Sequence, residues 1–573
     1  MKQTQPITSK KGVLTPQRCL DACFLTAAML VVGTLAPVSL LAQQDWEKEG
    51  GIPNAEIQIL KDRQITLPQA DRNFDKIPPR PSEPVKPDIV YELKNLRFST
   101  PDFNPSIRPL KLKQEDISKV YGNTLSAGYG NYASPYLEAY FNSKRNKNQF
   151  YGAHFYHHSF GNGPVDKKNS ASGTTEVNLF GKAMSSTIVA NGTIGYENRS
   201  TYFYGYQPGT EPNRDDIRQS FTTVSLGAGI ENAKLADFNY SLQGSYSHLS
   251  DHYLAQEGEL GLVFKGGYKI SDDSRLNLSA DYYLINRKDA DPGYKPRSLF
   301  HAKAGYQFSP LDKLWLTLGA NFAYENDTIG RNKSFHAYPH ARADYSLSES
   351  VMAYAVLTGD IDKVSLHTLS RENLWLKSDI DIFHTNRSVE LISGLKGNLG
   401  KKVAFGAGVS LANLKNLYFY QNETTDRAKF NVIYDNGDVR RMNLFAELGY
   451  TYGESVKMVV RGDYFHYTTD NVPEAYHRPA YRLAINSSYS LYSKLLFNVD
   501  FIAQGGIKAY DPQTLKTVTL DPALDLNVRV DYFVSKKISA FLKFNNLLSN
   551  GYQVYLHYPV RGFQAMGGVT WSF

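Results

Sequence analysis

Along most of the chain, apolar and polar residues alternate with a period of two. Leu314, Leu316, Leu318, Ala320, Phe322 and Tyr324 interleave with Trp315, Thr317, Gly319, Asn321 and Glu325. Leu524, Leu526, Val528, Val530, Tyr532 and Val534 interleave with Asp525, Asn527, Arg529 and Asp531. Successive side chains of a strand point to opposite faces, so each stretch reads as a strand with one hydrocarbon face and one wet face. Buried soluble sheets do not set Asp, Asn and Arg opposite a full hydrocarbon row over so many strands, whereas a barrel with lipid outside and water inside does. The expected fold is all-β: a transmembrane antiparallel up-and-down β-barrel over residues 123–573.

The connections alternate as well. Short turns fall near residues 143–148, 183–186, 232–236, 271–274, 309–312, 347–350, 398–401, 453–455, 491–493 and 535–537. Mostly longer polar segments lie between them: 161–172, 205–215, 287–297, 325–334, 362–378, 467–477, 505–516 and 548–560, with shorter ones near 132, 250–254 and 421–429. Short periplasmic turns and long outer loops are the rule for outer-membrane barrels. Eleven loops and ten turns join 22 strands, an even number that puts both barrel ends on the periplasmic side; a miscount by one hairpin gives 20 or 24.

The last stretch carries an address of its own. Phe563, Ala565, Gly567, Val569, Trp571 and Phe573 alternate with Gln564, Met566, Gly568, Thr570 and Ser572. Barrel-assembly machinery reads a terminal signal of the form polar, x, Gly, x, x, aromatic, x, aromatic. Gly568, Trp571 and Phe573 fit it, and Met566 departs at the polar position.

The other end differs in character. Lys2, Lys10, Lys11 and Arg18 precede an apolar stretch over residues 22–42, which reads as a signal peptide with cleavage after Ala42. Cys19 and Cys23, the only two cysteines, lie inside that signal peptide, so the mature chain is expected to have no disulfide and no thiolate site. Residues 43–122 lack periodicity and gather Pro78, Pro79, Pro81, Pro84, Pro87, Pro101, Pro105 and Pro109, the composition of an extended arm, either a linker or a segment that docks, in the periplasm or in the lumen. Losing four basic residues and Asp21 with the leader lowers the net charge from +7 to +4, too small a bias to imply nucleic acid. The 40 Tyr and 30 Phe suit a barrel with aromatic girdles.

Two stretches carry a family resemblance. The closing hairpin, Phe541-Leu542-Lys543-Phe544-Asn545-Asn546-Leu547-Leu548, then Gly551-Tyr552 and Tyr558-Pro559-Val560-Arg561-Gly562-Phe563, resembles the last strands of TonB-dependent receptor barrels, with their Gly-Arg pair inverted here. Ala127-Gly128-Tyr129-Gly130-Asn131-Tyr132 is similar to their first hairpin. The resemblance implies a 22-stranded barrel. It also implies a globular plug preceded by a TonB box, and residues 43–122 show neither, so the family's energy-coupled import is not carried over. A barrel that wide needs an occluder: the arm, inward-folded outer loops or a partner protein.

Chemistry is sparse. His154, His157 and His158 are the densest histidine group, but His154 and His158 stand about 13 Å apart along a strand, too far to share one metal. No phosphate loop, His-Glu-x-x-His or Gly-x-Ser-x-Gly occurs, so no catalytic residue, metal or cofactor is expected. Lys457, Arg461 and Asp463, with Asp525, Asn527, Arg529 and Asp531, form candidate polar rows in the lumen. They either hold a filler or pair with one another in water. Tyr202, Tyr204, Tyr206, Tyr555 and Tyr558 are candidates for stacking on a ligand or for the lipid interface. Three classes remain. The first is a non-enzymatic component of an outer-membrane transport or assembly complex, with outer-membrane or periplasmic protein partners. The second is a solute receptor or channel plugged by the arm or a partner. The third, weaker, is a barrel enzyme with a rim active site.

Overall fold

The computed structural model describes residues 121–144, 146–290, 293–327 and 334–573. The segments read from the sequence as a signal peptide, 1–42, and a proline-rich arm, 43–122, lie outside the described residues except for residues 121 and 122. From Thr124–Gly130 to Gln564–Ser572 the chain forms one closed sheet of 22 antiparallel strands, the number expected from the alternating connections. The first and last strands close it: Thr124 pairs with Ser572 and Gly130 with Met566, and the hydroxyls of Ser126 and Thr570 meet at 2.8 Å. Closure leaves no unpaired edge, which is what hydrocarbon requires of a β structure.

The ladder sorts the faces. On the eleventh strand, Leu314–Glu325, the even residues pair outward: Leu318 opposes Tyr306 and Ala341, and Leu318 keeps 50% of its surface exposed. The odd residues pair inward: Asn321 opposes Lys303 and Tyr338, and Thr317 opposes Gln307 and Arg342. Similar rows of exposed Leu, Ile, Val, Phe and Tyr run round the barrel, and this apolar belt places it in the outer membrane. Ten short connections lie at one end and eleven at the other, where several of the longer ones carry structure of their own. Among them are the helix Leu366–Glu372, the hairpin Lys508–Asp511 with Lys516–Thr519, and the pair Gln553–Tyr555 with Tyr558–Pro559.

Candidate functional site: a lid across the barrel mouth

The hydrophobic residues of largest burial are not in the membrane belt. They sit in the outer loops and at the outer ends of strands, where Phe221, Leu249, Ile285 and Leu299 lie, and residues 363–384 form the centre of one core. The local sequence explains the helix. Ser365 caps it, and a capping box joins Ser365 and Thr368, with the Thr368 N–H donating to Ser365 Oγ at 3.3 Å and the Ser365 N–H to Thr368 Oγ1 at 2.8 Å. Leu366 and Leu369 then fall on one face and are buried with Leu376, Ile380 and Ile382. Two turns of helix are not stable alone. The barrel wall supplies what is missing: Glu257, near the outer end of the eighth strand Gln256–Ser271, accepts the N–H groups of Leu366 at 2.8 Å and His367 at 2.9 Å.

The same segment reaches facing walls. On the fifth strand, Ile188–Tyr202, Arg199 donates to the Ser370 carbonyl at 3.2 Å, Glu197 pairs with Arg371, and the Tyr202 carbonyl accepts from the Trp375 indole at 3.0 Å. On the fifteenth, Val403–Asn422, the hydroxyls of Tyr418 and Tyr420 donate to Glu372 at 2.5 and 3.0 Å. In a ring of 22 strands these walls are ten strands apart one way and twelve the other, so they stand opposite. Lys363 pairs with Glu259 on the eighth strand, and Arg297 on the tenth donates to the Val364 carbonyl at 3.0 Å. A segment fastened at these points crosses the mouth.

A second layer lies over that strap. The fifteenth strand bulges between Lys415 and Leu417, with Asn416 at φ 55°, and beyond the bulge Leu417, Tyr418, Phe419 and Tyr420 are all buried. A membrane strand has one lipid face; this extension has none. Leu417 and Phe419 pack with Val472 and Tyr476, whereas Tyr418 and Tyr420 pack with the strap. Asp435, across the bulge, accepts the backbone N–H groups of Gly437, Asp470, Asn471 and Val472 within 2.8 to 3.1 Å, which staples residues 470–472 to the hairpin. The rings of Trp375 and Tyr558 meet at 4.0 Å, Tyr204 lies 4.7 Å from Tyr558, and the Tyr555 hydroxyl donates to the Glu372 carbonyl at 3.0 Å. Tyr204, Tyr555 and Tyr558 are therefore lid core, neither stacked on a ligand nor at the lipid interface. Tyr202 lies under Arg214, and Tyr206 donates to Asp166 at 2.6 Å.

Burial sets the charge state within the lid. His384 accepts the Val364 N–H on Nδ1 at 3.0 Å, and burial, reinforced by Arg297, pushes its pKa down to about 3, so the ring is neutral. Burial also lowers His557 to about 4, with Arg427 adding to the effect. Burial works against the charge of Arg478, but Tyr418 and Glu372 overcome it and hold the guanidinium protonated, 4.8 Å from the Tyr418 ring centre.

The rows singled out in the sequence do not meet. On the seventeenth strand, Val456–Thr468, Arg461 pairs with Asp463 at 2.9 Å and with Glu447 at 3.5 Å, and Lys457 is exposed on the same face. On the twentieth, Ala523–Phe533, Arg529 pairs with Asp531 at 2.8 Å and lies 4.7 Å from the Phe541 ring centre. Asn527 accepts the Asn546 N–H at 3.1 Å and Asp525 the Tyr552 hydroxyl at 3.0 Å, so the outer end of this row carries the last loop. The histidines of the third strand have separate partners: His154 with Glu138 at 3.2 Å, His157 with Thr175 and His158 with Ser134, each at 2.9 Å. Among the described residues no three His, Cys, Asp or Glu converge as metal ligands. Gly568 leaves room for the Phe541 ring, which a Cβ there would meet at 2.3 Å, and Trp571 stacks on Phe573 at 4.3 Å on the lipid side. Sequence reasoning took residues 362–378 as a loop and missed Glu257, Glu372 and Trp375. The Ser365/Thr368 box ahead of Leu366 and Leu369 was the available signal.

No family model matches the sequence, and no curated protein does. Solved structures do. The FrpB iron transporter from Neisseria meningitidis superposes with a TM-score of 0.63 at 10% identity, over 80% of this chain and 82% of that one. The siderophore receptor PiuA from Acinetobacter baumannii gives 0.59 at 11% identity over 80% and 82%, and the ferripyoverdine receptor of the Pseudomonas aeruginosa outer membrane gives 0.59 at 13% over 80% and 72%. The fold is that of the TonB-dependent receptor barrels. At such identities the likeness is one of architecture, and these neighbours are transport receptors rather than enzymes.

Proposed function

We propose that this chain is a non-enzymatic outer-membrane barrel, a component of a transport or assembly complex, whose outer mouth is held shut by its own loops. One observation carries the reading: residues 363–384 are tied to the fifth strand through Arg199 and to the facing fifteenth strand through Glu372. A barrel of this width open at both ends would breach the permeability barrier. Replacing residues 363–384 with a Gly/Ser linker of equal length is expected to sensitise cells to large antibiotics. Unchanged sensitivity would mean that the lid is not the barrier. Outer-membrane lipid, the barrel-assembly machinery acting on Gly568, Trp571 and Phe573, and further outer-membrane or periplasmic proteins are the partners this reading requires.

A second reading, a receptor or channel that imports a solute with the arm or a partner as plug, draws on the iron and siderophore transporters among the structural neighbours. Gentle extraction separates the two. A stable assembly with other proteins supports the first, and a lone monomer supports the second.

A further inference from the structure

Between the twelfth strand, Phe335–Ser346, and the thirteenth, Val351–Asp362, the ladder stops half-way up the wall. It joins residues 341–346 to residues 352–357 and goes no further. Above that point each strand keeps its other neighbour: Phe335 still pairs with Tyr324 of the eleventh, and Asp362 with Thr385 of the fourteenth, Thr385–Leu399. Five residues a side, at about 3.3 Å each, thus leave a seam roughly 16 Å long in the wall.

The sequence builds this seam. The Glu325 N–H donates to the Ser334 carbonyl and the Ser346 N–H to that of Lys313, so even residues of the twelfth strand turn their backbone to the eleventh and odd ones to the thirteenth. Pro339 is odd and has no N–H to give. Continuing the register would set it opposite Gly359, and Ala337 opposite Ile361. Side chains have taken those places: Asn321 Nδ2 donates to the Gly359 carbonyl at 2.9 Å and His301 Nε2 to the Ile361 carbonyl at 3.1 Å. Lys303 pairs with Asp360, and Ile361 is buried with Leu299, Ala323 and Tyr338. The outer end of the thirteenth strand therefore lies against the lumenal face of the tenth to twelfth, overlapping the wall instead of completing it. One ring seals the overlap. Tyr338 lies on Gly359, where a Cβ would meet it at 2.5 Å, and its hydroxyl donates to Asn386 Oδ1 at 2.8 Å.

Outside, the seam opens on hydrocarbon. Ala337 and Pro339 share the lipid face of Ala341 and are exposed, beside the exposed ring of Phe322 and below those of Tyr324 and Phe335, which puts the seam at the depth of the outer leaflet. A strand edge facing lipid is normally abolished by pairing. Pro339 bars a further strand from this edge, since it cannot donate to one. What can enter is a flexible chain that asks for no hydrogen bond. Moving Tyr338 aside would admit it with every ladder intact, whereas parting a continuous strand pair breaks one hydrogen bond after another.

We propose that the seam is a lateral opening for a membrane lipid of the outer leaflet, with an acyl chain passing between the twelfth and thirteenth strands at Tyr338 and the polar head in the lumen beside His340, Thr358 and Asn386. Such an opening deepens the transport reading, on which it rests, by supplying a substrate class and a route that the strap does not block.

The test is photolabelling of the purified full chain in nanodiscs of phosphatidylethanolamine and phosphatidylglycerol, a fraction of the phosphatidylethanolamine carrying a diazirine on one acyl chain, with adducts mapped by mass spectrometry. Among lumenal residues, His340, Thr358 and Asn386 are expected to carry at least fivefold more adduct than Glu447 and Arg461, whose strands are joined by a continuous ladder. Tyr338→Ala is expected to raise labelling at the three seam positions at least threefold, and Leu318→Ala, on the lipid face of the neighbouring strand, to leave it unchanged. The comparison within the unmodified protein stands even if Tyr338→Ala does not fold. Lumenal labelling that is absent, or equal at the seam and at Glu447 and Arg461, or that does not rise in a folded Tyr338→Ala, overturns the proposal. Because the lid is read by antibiotic entry, the complex by gentle extraction and the seam by photolabelling, each can fail alone.

Discussion

The carboxylate of Glu257 accepts the backbone N–H of Leu366 at 2.8 Å, so the helix that closes the mouth begins on the barrel wall. With its second oxygen on the His367 N–H, the same side chain satisfies two of the donors a helix leaves open at its start. Glu257→Ala would strand both in a buried place, at a cost of roughly 1–3 kcal/mol for each group. The expected result is faster amide exchange across Leu366–Glu372 with strand protection unchanged. Unaltered exchange in the helix would show that the wall does not hold it.

At the far wall, Glu372 gathers both tyrosine hydroxyls. Tyr418→Phe or Tyr420→Phe removes one hydrogen bond to a carboxylate, worth roughly 1.5–3 kcal/mol. Both changes together leave Glu372 with no tyrosine donor from the facing wall, although Tyr555 still binds its carbonyl. The double variant is expected to admit large antibiotics more than the two single variants combined, because contacting residues couple. Strictly additive entry would argue that the tyrosines act independently of the latch.

Trp375 occupies the centre of the ring cluster, 4.0 Å from Tyr558 and 5.9 Å from Tyr555. Truncation to Ala removes a large half-buried side chain and orphans the Tyr202 carbonyl, a loss on the order of 3–5 kcal/mol. Since Trp375 itself belongs to none of the 22 barrel strands, the loss is expected to appear as protease cleavage within residues 363–384, with the barrel still folded. Global unfolding would mean that lid and barrel form one cooperative unit.

How much of this was legible in the sequence follows from the kind of pattern each part leaves. A strand writes its lipid face at every second residue, so Leu314 to Tyr324 and Leu524 to Val534 announce the barrel locally, and ten tight turns fix its count. The lid is held by partners far apart in the chain: Arg199 and Ser370 are 171 residues apart, Tyr555 and Glu372 183. No local periodicity encodes such contacts. Residues 417–420 mislead in the opposite way, since they continue a strand whose two faces are both buried. The charged rows were visible as residue types, but nothing short of the register separates Arg461 with Glu447 from Arg529 with Asp531.

Acid is expected to loosen the lid through His384. Burial keeps its ring neutral in the folded protein, Arg297, His301 and Lys363 add to the effect and Asp327 opposes it, while Nδ1 accepts the Val364 N–H. The unfolded imidazole titrates near 6.5 and the folded one near 3. Stability supplied by the neutral ring is therefore complete above about pH 6.5 and is lost as the pH falls from there toward 3, by roughly 2 kcal/mol at pH 5. Amide exchange of residues 363–384, corrected for the intrinsic pH dependence, is expected to be faster at pH 5 than at pH 7. His384→Gln keeps an acceptor but cannot take up the proton, and it should flatten that difference. A lid equally protected at both pH values in the unmodified protein would remove His384 from the account.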